Sequence, residues 1–161
     1  MFTPLERASD AARYGGKAAQ LARALGAQLP VPRGVALGWE AVARVADGSS
    51  DPALGLASAP LEDRWVAVRS SAVGEDGAAA SFAGQHQSVL GVCARTGLGR
   101  AIDQVHASAH TAAAMGYRRR LGLDEPPRMA VVVQALVESE VAGVLFSRDP
   151  LTGQDVRVVE S

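Results

Sequence analysis

The segment WVAVRSSAVGEDGAAASFAGQ, residues 65–85, constrains the fold more than any other part of the chain. Trp65 to Val68 alternate no polar residue, so they read as a strand buried on both faces. Arg69 follows directly, and the chain then runs into glycine, alanine and serine, interrupted by Glu75 and Asp76. A strand fixes the base of Arg69, and its planar fork of donors suits phosphate oxygens. Small residues allow the backbone beyond it to approach a ligand closely, and Ser70, Ser71 and Ser81 add hydroxyls. The same residues also describe a strand-end arginine paired with Glu75 or Asp76 beside a surface loop. Both readings stand on this segment alone.

A second basic residue sits in comparable company. Residues 15–26, GGKAAQLARALG, read as a helix with Ala18, Leu21, Ala22 and Leu25 on one stripe and Gly26 as its C-terminal glycine. Lys17 falls in the first turn, where the macrodipole disfavours a cation unless an anion is also present. The bland alternative is a lysine pointing into water. GxxxxGK[ST] is absent, so this is not a Walker A loop.

The remaining chain reads as further strands and helices. Pro30 and Pro32 force an extended entry to a strand at residues 35–37. A helical stripe of Trp39, Val42, Ala43 and Ala46 follows, then a turn-rich loop over residues 47–60. Residues 87–92 form a weaker strand. The spacing of Leu98, Ile102, Val105, Ala109, Ala112 and Met115 predicts one long helix over residues 98–121, ending in Arg118-Arg119-Arg120 as a solvated terminus. MAVVVQALV, VAGVLFS and DVRVVES read as three consecutive antiparallel strands, with the last left as an unpaired edge.

Composition excludes several classes. The net charge of -1 and 4% aromatic content argue against a nucleic-acid-binding surface. The single cysteine, Cys93, permits no intrachain disulfide and reads as a small inert core residue. His106 and His110 have i, i+4 spacing but no third ligand in a metal motif, which favours helix packing. No apolar run reaches the roughly 20 residues of a membrane span, and the opening residues lack a secretory apolar core, so the expected place is the cytoplasm, away from membranes.

Taken together, GGKAAQL, LPVPRGVAL, VAVRSSAVGEDGAAASFAGQ, VVVQALV and AGVLFSRDPLTG occur in the order that resembles the N-terminal ATP-binding region of the phosphoenolpyruvate synthase, pyruvate phosphate dikinase and rifampin phosphotransferase family. The resemblance runs from about Tyr14 onward. It implies an α+β fold, the proximal part of an ATP-grasp domain, mostly antiparallel sheet packed with helices. It divides the chain into a GGK-bearing segment, 14–60, and a segment carrying the VRSS loop and the adenine-side strand, 61–161. It implies ATP as ligand, with phosphate contacts from Lys17, Arg69, Gly84 and Ser88, where many relatives carry threonine in place of Ser88. Adenine would lie against Gln134, Leu136 and Val137. It further implies magnesium held by residues outside this chain, a histidine that carries the phosphoryl group elsewhere, and an acceptor chosen by another domain. No residue here is expected to be catalytic by itself. The missing part would be the same parent chain, a separate subunit, or a second copy paired through the last strand. A non-catalytic nucleotide-binding or regulatory module is the alternative.

Overall fold

The computed structural model describes residues 2–51, 61, 64–74, 87–149 and 151–160. Strand β1 (Phe2–Pro4) leads through a single 3-10 turn into α1 (Ala11–Gly26). Then come β2 (Gly34–Leu37), α2 (Trp39–Ala46), β3 (Trp65–Ala72) and β4 (Ser88–Cys93). Helices α3 (Leu98–Ser108) and α4 (Ala112–Arg120) precede β5 (Met129–Ala135), and a hairpin of β6 (Val144–Phe146) and β7 (Val158–Glu160) follows.

The main sheet has the order β1-β2-β5-β3-β4, and every pairing in it is antiparallel. This is the α+β architecture expected. Strands from residues 14–60 and 61–161 share that sheet, since β2 lies between β1 and β5. β5 is the hub: both of its edges are paired, and its residues from Met129 to Gln134 are all buried. One face packs Val35, Leu37, Val66, Val68, Val131 and Val133 against α2 and α3. The opposite face packs Ala36 and Val132 under Leu5, Tyr14 and Ala18, with Leu21 and Leu25 at its margin. A β-branched run buried from both sides forms a central strand because each alternate side chain has a packed layer to enter.

Several expectations need correction. Residues 98–121 form two helices, because Thr111 takes an extended conformation (ψ 152°) and caps α4 by accepting from the Ala114 amide at 3.2 Å. Its hydroxyl donates back to the Ser108 carbonyl, and Ser108 donates to Val105, so local side-chain bonds outcompete the helical ladder. Accordingly Leu98, Ile102, Val105 and Ala109 are buried, whereas Ala112 is exposed. In α2 the buried face is Ala41, Val42 and Val45, with Ala43 and Ala46 exposed. The left-handed residue ending α1 is Gln28 (φ 59°), not Gly26, and the Leu29 amide closes the turn onto Ala24. The three C-terminal strands are not consecutive neighbours. β5 has both edges occupied, so β6 and β7 pair with each other in a separate two-stranded sheet.

Candidate functional site

The GGK turn and the VRSS strand meet. Within α1, Gly15 is non-helical (φ 77°, ψ 167°), so the helix breaks and restarts directly before Lys17. A Cβ on Gly15 would lie 2.0 Å from the Ser71 carbonyl oxygen, so glycine is required both for the dihedral and for the approach. Ser71 stitches the break: its hydroxyl donates to the Tyr14 carbonyl at 2.7 Å and accepts from the Ala18 amide at 3.0 Å. That amide is one of the orphan donors of a helix start.

This docking delivers Lys17 to the edge of β3. Its ammonium donates to the Ser70 carbonyl at 2.5 Å and lies 3.4 Å from the Ser70 hydroxyl. Trp65 and Val73 exchange backbone bonds with the β5 side, so even-numbered residues of β3 direct theirs toward β4. The described β3–β4 pairing ends at Arg69 opposite Ser88, which places the Ser70 carbonyl just past it. Lys17 therefore occupies the position where the described ladder stops.

Arg69 is half-buried on the face that α1 covers, and its Nη1 donates to Gln134 Oε1 at 3.2 Å. Gln134 is 4% exposed and sits opposite Ala67, one diagonal step from Arg69. The Gln134 amide nitrogen donates to the Pro32 carbonyl at 3.2 Å, which fixes its oxygen toward the guanidinium. Among the described residues no carboxylate pairs with Arg69. The alternative partners, Glu75 and Asp76, lie outside the described residues, as does Gly84. Ser88 is exposed at the start of β4, opposite Arg69.

Of the residues expected at adenine, Gln134 is buried beside Arg69, Leu136 is half-buried just past β5, and Val137 is 61% exposed. The Leu136 amide donates to the Trp65 carbonyl at 2.9 Å, so the sheet continues one residue beyond the strand. The structure thus brings Lys17, Arg69 and Gln134 to one region of β3 and β5, Ser88 to its rim, and Leu136 and Val137 just past Gln134 beyond the C-terminal end of β5. Arg69, held by a neutral acceptor, can turn toward an anion without breaking an ion pair to any described carboxylate.

Sequence reasoning named Ser71 as one of three hydroxyls at the loop but not its place in the structure, which is to bind the helix break. It also misplaced Arg118, which is 8% exposed and not a solvated helix end. The His106 and His110 rings lie with centroids 4.8 Å apart and planes tilted by 49°, and burial, then the His110 charge, lowers the His106 pKa, with Asp103 opposing. Among the described residues no group of three metal-ligating side chains forms. Cys93 is half-buried at the end of β4, and hydrogen bonding from Thr96 and then from the Arg95 backbone lowers its thiol pKa. No helix among the described residues is long and apolar enough to cross a membrane.

The family model of the pyruvate phosphate dikinase AMP/ATP-binding domain matches residues 53–161. A phosphoenolpyruvate synthase of Aeropyrum pernix is 43% identical over 100 residues, 62% of this chain. A rifampicin phosphotransferase of Streptomyces sviceus is 48% identical over 88 residues, 54% of the chain. An uncharacterized phosphotransferase of Bacillus subtilis is 30% identical across 96% of the chain, an alignment long enough to take in Lys17. The chain spans 12%, 10% and 21% of the lengths of these three relatives.

Proposed function

Because the chain belongs to the pyruvate phosphate dikinase AMP/ATP-binding domain family, we propose that it forms the phosphate-gripping part of an ATP site of the ATP-grasp type. The observation that carries this reading is the docking of the GGK turn on the VRSS strand. It sets Lys17 on Ser70 and places the neighbouring Arg69 on the neutral Gln134 amide, with no carboxylate partner among the described residues. In this reading Lys17 and Arg69 neutralise phosphate oxygens, Ser88 and Gly84 add donors, and adenine lies along Gln134, Leu136 and Val137. Lys17 contributes a compact charge on a flexible stem, and Arg69 a two-pronged fork. Phosphoryl transfer relies mainly on such positioning and charge neutralisation.

The reaction served is transfer from ATP to a histidine and on to an acceptor such as pyruvate or an antibiotic. That histidine, the magnesium ligands and the acceptor site would come from a longer parent chain or a partner subunit, in the cytoplasm. In keeping with this, the chain covers only a fraction of each relative named phosphoenolpyruvate synthase or phosphotransferase.

Equilibrium dialysis with labelled ATP tests the proposal. Each of Lys17→Ala and Arg69→Ala should lose about 1.5–3 kcal/mol of binding, roughly tenfold to a hundredfold in affinity. Equal binding by wild type and both variants would overturn it. ATP binding without phosphotransfer, even with the rest of a relative supplied, would favour the non-catalytic module.

A further inference from the structure

Arg118 lies in the last turn of α4 and is 8% exposed. Its Nη2 donates to the Glu125 carbonyl at 2.8 Å, while its Nε has no partner. Among the described residues no carboxylate pairs with it. The Glu125 carboxylate is engaged with Arg128 at 2.9 Å, and Asp124 is exposed. Buried charges are normally paired, because desolvation of an isolated ion is expensive. The negative end of α4 offsets only part of that charge.

This guanidinium lines a cavity of about 380 Å³. Val73 and Gly74, just past β3, line one side, and Gly122, Pro126 and Arg128 line it together with the acidic residues Asp124 and Glu125. Lys17, Arg69 and Gln134 are not among its lining residues, so it is separate from the site described above. A second guanidinium, Arg128, stands at the same cavity and stacks over the Trp39 ring. The cavity therefore offers room for a small ion, a buried arginine that no described carboxylate pairs with, and an Nε without a partner.

We propose that this cavity is a binding site for a small oxyanion, carboxylate or phosphate, recognised by Arg118 with Arg128 in support. A planar guanidinium pairs with two oxygens of either group, which supplies the countercharge that no described carboxylate gives. The Val73 amide donates to the Arg128 carbonyl at 2.9 Å, so the ion would bind beside the residue at which the Arg69-bearing strand ends.

The test follows the Arg118 Nε–Hε resonance in the full ¹⁵N-labelled chain, wild type and Lys17→Ala/Arg69→Ala, during separate titrations with inorganic phosphate and acetate. A saturable shift in both proteins is expected with at least one anion, and the anion that produces it names the class. Melting temperature should rise by about 3–6 °C once that anion exceeds its dissociation constant roughly tenfold. Arg118→Met should abolish the melting response. Should that variant fail to fold, the wild-type resonance still decides. The proposal is overturned if neither anion moves the resonance, or if Glu75→Gln/Asp76→Asn moves it as far without added anion, since the countercharge would then be the chain's own.

Discussion

Strand β5 and the β6–β7 hairpin are written in nearly the same alphabet, yet they have opposite fates. MAVVVQA is buried along six of its seven residues, with a paired strand on each side. In the hairpin Val144, Leu145 and Val159 are 53%, 65% and 70% exposed, and the two strands pair only with each other. An apolar β-branched run thus specifies a strand but not its burial; burial comes from the layers that reach it. β5 receives α1 on one face and α2 and α3 on the other, whereas among the described residues no such layers cover the hairpin.

The contrast extends to the candidate site. That site stands where the sheet is cross-braced by α1, and its geometry inherits the rigidity of the core. The largest expected effect is accordingly at Gly15. Gly15→Ala must drive a methyl into the Ser71 carbonyl and hold an unfavourable φ, so a loss of about 4 kcal/mol or more is expected in urea denaturation. A near-neutral result would mean that the GGK turn is not seated on β3.

Met129→Ala, in the buried strand, should cost about 2–5 kcal/mol, while Leu145→Ala, in the hairpin, should stay within about 0.5 kcal/mol. Similar losses at both positions would erase the distinction between core strand and exposed hairpin. Ser71→Ala orphans a buried carbonyl and a helix-start amide, and should cost about 1–3 kcal/mol. It should also weaken ATP binding, because Lys17 depends on that helix start.

The smallest effect concerns pH. The folded-state pKa of His106 is lowered, by burial first and then by His110. The unfolded chain therefore takes up the proton more readily. The stability contribution is full above the ordinary histidine value of about 6.5 and is lost as pH falls through it. Chemical denaturation across that range should show the decline, and His106→Gln should flatten it.

Much of this was legible in the sequence. α1 was recognised from a stripe that does face the core, and β2, β3 and β5 from short apolar runs between turn residues. The placement of Lys17 after a glycine pair was also visible, and Arg69 was seen on an apolar strand, though that strand runs on through Ala72 and does not end at Arg69. What the sequence did not show is long-range: Gly15 against Ser71, Arg69 on Gln134, and β5 inserted between β2 and β3. Periodicity carries no information about which distant strand becomes a neighbour. The break at Thr111 was missed for a different reason. An apolar stripe hid a local competition in which Ser108 and Thr111 hydroxyls take backbone partners from the helix.

The central claim is that Lys17 rests on Ser70 in readiness for a phosphate. A crystal structure of the chain with a non-hydrolysable ATP analogue tests it most directly. The account predicts that the Lys17 ammonium leaves the Ser70 carbonyl for a phosphate oxygen at about 2.8 Å, with the Arg69 fork on the same phosphate chain. A nucleotide bound elsewhere, with Lys17 still on Ser70 and Arg69 still on Gln134, would contradict it.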